Sequence, residues 1–233
     1  MRDFAVRRMS PEDSAALAQL LALLVHDLRN PVATIGANLS YVSEVAGPAL
    51  DGETRDALSD SSTALDDLMT GLEHLAFVSR WIAGEPVTAA GEGNVSDALR
   101  SVAGRERPFP IQLSLSEGGL RAKGAQALPR LVEVLLANAS QHAPGKPVTI
   151  RAERVANEVI IEVEDAGRAL AAELREVAFT APGQLRLKER SDGRYGRALG
   201  LLAAGLLAQA MGARLESTGV DGASITRIAL TAI

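Results

Sequence analysis

Apolar residues recur in two long helical stripes over the first third of the chain. Leu17, Leu21, Leu24, Leu28, Ile35, Leu39 and Val42 follow one another at spacings of mostly three and four, and Val25 and Val32 widen the stripe. This is a heptad-like seam over about 30 residues. Ser10-Pro11-Glu12-Asp13 supplies its start, with Ser as N-cap, Pro at the first helical position and acids in the first turn. Gly47-Pro48 ends it. A second stripe, Leu58, Leu65, Leu68, Leu72, Leu75 and Ile82, closes at Gly84-Glu85-Pro86. Two long helices joined by a short turn predict a helical hairpin about 50 Å long. Two helices alone cannot enclose a core, so the hairpin is expected to pair with a second copy as a four-helix bundle, a homodimer.

The periodicity changes after residues 84–94, where Gly84, Pro86, Gly91 and Gly93 read as a linker. The expected domains are therefore a hairpin over 1–83 and a second domain over 95–233. In the latter, Val95–Val102 reads as a helix, Ile111–Leu115 as an alternating strand and Ala127–Gln141 as a strongly apolar helix. Val148–Ala152 and Val159–Val163 read as strands around a turn at Ala156-Asn157. Leu170–Val177 is expected as a short helix, Phe179–Tyr195 as a mobile loop, and Ala198–Met211 as an apolar helix stopped by Gly212. Arg214–Glu216 and Ser224–Leu230 look like closing strands. The pattern predicts an α+β domain, an antiparallel-type sheet covered by helices.

The 233 residues are 47% hydrophobic and 23% charged, enough for one or two folded domains and too apolar for a mainly disordered chain. A net charge of −5 gives no support to a nucleic-acid role. Cysteine is absent, which excludes disulfides and thiolate metal sites, and His26, His74 and His142 are too scattered to suggest a metal cluster. Aromatics at 3% leave the core to Leu, Val, Ile and Ala. The longest apolar stretch, Ala198–Ala208, falls short of the roughly 20 residues that span a bilayer. Arg2, Arg7 and Arg8 before Leu20–Val25 faintly suggest a signal peptide, but Pro11, Glu12, Asp13 and Gln19 interrupt it and no small-x-small site follows. The expectation is a cytoplasmic chain with no membrane segment.

Four segments carry candidate chemistry. In Val25-His26-Asp27-Leu28-Arg29-Asn30-Pro31, helical spacing puts Asn30 on the face of His26, and Pro31 removes a backbone hydrogen bond inside the seam. An imidazole beside a carboxylate can be held in one tautomer, its other nitrogen left as nucleophile. Alone, the segment also reads as a surface histidine beside a chance kink. Asn138, on the otherwise apolar run from Glu133 to His142, either ligates Mg²⁺ carrying nucleotide phosphates or caps a helix end. Asp165, in Val163-Glu-Asp165-Ala-Gly167, is placed to accept a hydrogen bond from a nucleobase amine, or belongs to an ordinary turn. Gly193-Arg-Tyr-Gly196-Arg-Ala-Leu-Gly200-Leu-Leu has glycines opening a helix, where backbone N–H groups can approach phosphate.

In order and context, these elements resemble the transmitter region of two-component sensor histidine kinases over nearly the whole chain. His26–Pro31 matches the phosphoacceptor box, Asn138-Ala the N box, Asp165-x-Gly167 the first glycine box, and Gly196-x-x-Leu-Gly200-Leu the second. Ala210-Met211-Gly212-Ala-Arg-Leu and Gly222-Ala-Ser look like the family's last helix and strands. The resemblance implies a dimerisation and phosphotransfer hairpin followed by an α/β-sandwich ATP-binding domain of the gyrase and heat-shock-chaperone type. It implies that His26 takes the γ-phosphoryl group of ATP, Asp27 orients the imidazole and acts as base, and Asn30 positions a water for dephosphorylation of the partner. It also implies that Asn138 holds Mg²⁺, Asp165 reads the adenine amine, and His142, Gly167, Gly196, Gly200 and Leu201 complete the nucleotide site. Phe179–Tyr195 would be the lid. Its Arg186, Lys188, Arg190 and Arg194 either neutralise phosphate or form a solvated face. The implied partners are a response-regulator receiver domain and an upstream sensor protein or domain not in this chain.

The sequence departs from the family at four places. Val134 stands where a second Asn is usual, Gln141 where a basic residue is usual, and Ala169 and Ala198 where glycines are usual. Two readings follow. One is a histidine kinase that phosphorylates His26 from MgATP and passes the group to a receiver aspartate. The other is a phosphotransfer or scaffold protein whose ATPase-like domain is inert.

Overall fold

The computed structural model describes residues 11–85, 91–116, 118–190, 199–220 and 222–233. The expected N-cap Ser10, the glycines 193 and 196, Arg194, Tyr195 and Ala198 lie outside them. The chain divides into two compact units at residues 85 and 86.

The first unit is a hairpin of α1 (Pro11–Val45) and α2 (Gly52–Ile82), joined through a 3₁₀ turn at Gly47–Ala49. Asp51 caps α2, accepting from the Thr54 N–H at 2.8 Å and the Thr54 hydroxyl at 2.9 Å. Arg55 donates back to the carbonyls of Gly47 and Leu50, closing the turn. The helices meet through two seven-residue repeats. Ala18, Val25 and Val32 are buried on α1, and Leu72 and Ser79 on α2, with Leu65 packed against them. The Ser79 hydroxyl donates to the Ala18 carbonyl, fixing the register. The intrachain seam thus runs through the residues that widen the stripe. Leu17, Leu24, Leu28, Ile35 and Val42 lie on a neighbouring face and remain 41–50% exposed, with Leu68 and Ile82 of α2 similarly open.

The second unit is α+β, as its pattern predicts. A five-stranded sheet runs in the order β2 (Ile111–Leu115), β4 (Val148–Val155), β5 (Glu158–Asp165), β7 (Ala223–Thr231) and β6 (Arg214–Val220). Contrary to the antiparallel expectation, β2 pairs with β4 in parallel, and the other pairs are antiparallel. A second, two-stranded sheet pairs β1 (Gly93–Asn94) with β3 (Arg121–Ala122). Gly93 and Asn94 therefore form structure at the end of the stretch that reads as linker, and Asn94 caps the next helix by accepting from the Asp97 N–H.

Helices α3 (Val95–Ala103), α4 (Leu128–His142) and α7 (Leu199–Met211) cover one face of the large sheet. Val148, Ile150 and Ala152 of β4, Val159, Ile161 and Val163 of β5, and Ile228 and Leu230 of β7 meet Leu131, Leu136, Leu207 and Met211 in the core. Burying each of these valine, leucine, isoleucine or methionine side chains is worth roughly 1.5–3 kcal/mol. The opposite face alternates to charge. Arg151 pairs with Glu164 at 2.5 Å, Arg227 with Glu162 at 2.7 Å and Arg214 with Glu158 at 3.1 Å.

Two expectations between β5 and α7 are corrected. The short helix expected over Leu170–Val177 is a single turn, α5 (Ala172–Arg175). The stretch expected as a mobile loop from Phe179 holds α6 (Ala181–Arg190), with Pro182 in its first turn, where a missing N–H costs nothing. Gly183 is there for packing: a Cβ would fall 1.7 Å from the Val177 carbonyl oxygen.

Candidate nucleotide site and phosphoacceptor segment

The candidate nucleotide site grows from the strand register. Val159, Ile161 and Val163 face the helices, so Asp165, two residues further on, shares their side at the end of β5. Its partner in β7 is Ser224, and Thr226 pairs with both Val163 and Ser217 of β6. On α4, Leu131 and Leu135 are followed at helical spacing by Asn138 and His142, so the buried stripe turns polar where it passes the sheet end.

These positions meet in one cleft. Asn138, His142, Asp165, Arg168, Leu170, Phe179, Leu201, Ser217, Ser224 and Thr226 line about 430 Å³ of space, part of it open to solvent. Four residues expected from the sequence, Asn138, His142, Asp165 and Leu201, come together although the first and last are 63 residues apart in the chain. Gly200, one residue before Leu201, is buried at the start of α7. Val134 is also buried and, like Gln141, is not among the lining residues.

The Asp165 carboxylate accepts from the Gly167 N–H at 2.7 Å. A Cβ on Gly167 would fall 2.5 Å from Asp165 Oδ1 and 3.1 Å from the His142 Cβ, so this position excludes a side chain. Burial raises the Asp165 pKa above its ordinary 3.8, partly offset by the Gly167 hydrogen bond, the charge of His142 and the Ser224 hydroxyl. A half-buried carboxylate with an open lone pair, flanked by Leu170, Phe179 and Leu201, suits a flat heteroaromatic amine. Asn138 places a neutral amide in the cleft. That fits a divalent cation carried on phosphate oxygens better than a bare metal, which would need more carboxylates.

The loop after Asp165 is fixed by a residue that sequence reading passed over. Arg175 donates through Nε to the Leu170 carbonyl and through Nη2 to the Gly219 carbonyl, both at 2.9 Å. Ala169, where a glycine was noted as usual, is accommodated by a missing side chain opposite: a Cβ on Gly219 would lie 2.9 Å from the Ala169 methyl. Phe179 was expected only as the start of the lid, and Arg168, Leu170, Ser217, Ser224 and Thr226 were not anticipated as lining residues. The alternation of β7, with Ser224 and Thr226 on its inward side, was the available signal for the last.

His26, Asp27 and Asn30 occupy exposed positions on α1, which continues unbroken through Pro31. His26 Nδ1 stands 3.4 Å from Asp27 Oδ1, with the two side chains 74% and 78% exposed. At that distance and exposure the pair contributes little to stability. Pro31 has no N–H for the Asp27 carbonyl, and the Thr34 hydroxyl donates to the Asn30 carbonyl at 3.0 Å.

Comparison with known proteins agrees with this architecture. Residues 124–231 match the family model of the histidine kinase-, DNA gyrase B-, and HSP90-like ATPase. The sensor protein KdpD of Mycobacterium tuberculosis is 27% identical over 219 residues, covering 89% of this chain and 25% of that protein. The chain thus spans about a quarter of the length of the curated relatives it matches. Among solved structures, full-length ShkA in complex with AMPPNP aligns with a TM-score of 0.62 at 20% identity, over 92% of this chain and 46% of that one. The Acinetobacter baumannii histidine kinase AdeS aligns with a TM-score of 0.52 at 17% identity, over 88% and 97% respectively. Residues 124–231 thus match the ATPase family shared by histidine kinases, DNA gyrase B and HSP90, and with the hairpin before them the chain resembles a sensor histidine kinase transmitter core.

Proposed function

We propose that the chain is a dimeric protein-histidine kinase that binds MgATP in the Asp165 cleft, phosphorylates His26 and passes the group to an aspartate of a response-regulator receiver domain. The observation that carries this reading is the convergence of Asn138, His142, Asp165 and Leu201 on one cleft. Asp165 accepts from the adenine amine, and Leu170, Phe179 and Leu201 bury the ring. Asn138 would hold the Mg²⁺, which neutralises charge on the phosphates when bound.

The 3.4 Å approach of Asp27 to His26 Nδ1 favours the tautomer with the proton on Nδ1 and the lone pair on Nε2. Nε2 attacks the γ-phosphorus. An N–P bond forms, the bond from phosphorus to the β–γ bridging oxygen breaks, ADP leaves, and Asp27 takes the Nδ1 proton. A receiver carboxylate then displaces the imidazole from phosphorus. Asn30, one turn from His26, is assigned to orienting the water that hydrolyses the partner's acyl phosphate, since an amide cannot remove a proton at neutral pH. The exposed stripe of Leu17, Leu24, Leu28, Ile35 and Val42 supports a homodimer, and an upstream sensor would supply the input.

Calorimetric titration with MgATP tests the site. Binding should be measurable and should be lost in Asp165→Ala. No binding at millimolar MgATP would end the kinase reading and leave His26 to receive phosphate from elsewhere.

A further inference from the structure

We infer that Arg168 reads the phosphate chain of the bound nucleotide and makes the cleft discriminate adenosine phosphates from adenosine; this rests on the nucleotide-site reading above. Arg168 is the one lysine or arginine among the described residues that line the cleft. Its side chain is exposed, and no ion pair joins it to Asp165 or to any other described acid. Other arginines of this unit are already engaged. Arg105 and Arg107 meet Glu133, Arg151 meets Glu164, Arg214 meets Glu158, Arg227 meets Glu162, and Arg175 is held by two carbonyls.

The backbone carrying Arg168 is anchored on both sides. Before it, the Gly167 N–H is tied to Asp165; after it, the Leu170 carbonyl is tied to Arg175, and the Ala169 methyl packs against Gly219. Only the side chain is left to move, which lowers the ordering cost of using it. The other ionisable lining groups are the His142 imidazole and the Asp165 carboxylate, and Gln141 on the last turn of α4 is neutral. A polyphosphate entering this cleft brings several negative charges. A guanidinium fork meets phosphate oxygens with paired hydrogen bonds that a lysine cannot duplicate.

The test is calorimetry of the full chain with ADP and with adenosine, on the wild type, Arg168→Ala and Arg168→Lys. Arg168→Ala should weaken ADP by about tenfold and leave adenosine unchanged, and Arg168→Lys should recover part of the loss. The ADP affinity of the wild type should also fall more steeply with added salt than that of Arg168→Ala. Equal ADP affinities in wild type and Arg168→Ala would overturn this assignment and leave the nucleotide site standing. Equal losses for ADP and adenosine would also overturn it, because the side chain would then serve the base. Failure of the wild type to bind either ligand at millimolar concentration would overturn the site and the assignment together.

Discussion

The Asp165 carboxylate and the Gly167 amide sit 2.7 Å apart in a space that no side chain at 167 could share. Gly167→Ala puts a methyl 2.5 Å from Asp165 Oδ1, closer than the two can sit, so the carboxylate must shift from its place in the cleft. The fold has little reason to fail, because the obstructing atom is the end of a side chain. The expected result is a loss of MgATP affinity of tenfold or more, with the melting temperature lowered by only a few degrees. A variant that unfolds outright, or one that binds as before, would contradict this geometry.

Nucleotide affinity should depend on pH through the same carboxylate. The ionised form is the stronger acceptor for an adenine amine, and burial raises the Asp165 pKa above 3.8. Affinity for adenosine, which carries no phosphate to titrate, should therefore fall as pH drops, with a midpoint above 3.8 and a limiting loss of about tenfold per pH unit. Titrations between neutral pH and mild acid check this. A flat profile would mean that Asp165 is not the base-reading group.

The hairpin should dimerise through the exposed leucine stripe and not through the residues that hold it together. Leu24→Asp with Ile35→Asp places charge on that stripe and leaves Val25, Val32 and Leu72 in contact. Light scattering should show the mass halved, with helical circular dichroism largely kept. A wild type that is monomeric at micromolar concentration would exclude the dimer.

Much of this was legible in the sequence, and the failures have physical causes. Long periodic helices announced themselves, as did β4, β5 and the two-residue turn at Ala156-Asn157, where Ala156 adopts φ 53°. Apolar stripes could not say which of two adjacent faces pairs within the chain. Ala18 is too small and Ser79 too polar to stand out, yet they set the register. The parallel β2–β4 pairing is non-local, so no local pattern carries it. Gly183 fell in the stretch that read as a mobile loop, whereas its missing side chain lets α6 approach Val177. In the site, Asn138 was visible as an amide on an otherwise apolar helix and Asp165 as an acid at the end of an apolar strand beside a glycine. Arg168 lies between predicted elements and Arg175 inside the short helix expected over Leu170–Val177, and the role of each emerges only once the loop after Asp165 is folded.

Ala156 offers a check on the turn. A left-handed alanine costs roughly 1 kcal/mol relative to glycine, so Ala156→Gly should leave stability unchanged or raise it by up to about that amount in urea denaturation. A clear loss would mean the turn differs from this geometry.

Asn30 should separate two activities. Asn30→Ala is expected to keep phosphorylation of His26 and to lose hydrolysis of the phosphorylated receiver. A parallel fall in both would contradict the assignment to water positioning.

The central claim is that this chain uses its own ATP cleft to phosphorylate His26. The most direct measurement is incubation of the purified chain with γ-labelled ATP and Mg²⁺, alongside His26→Gln and Asp165→Ala. Acid-labile, base-stable label on the wild type and none on either variant is the predicted result. Label retained by His26→Gln, or no label on a wild type that demonstrably binds MgATP, would contradict it.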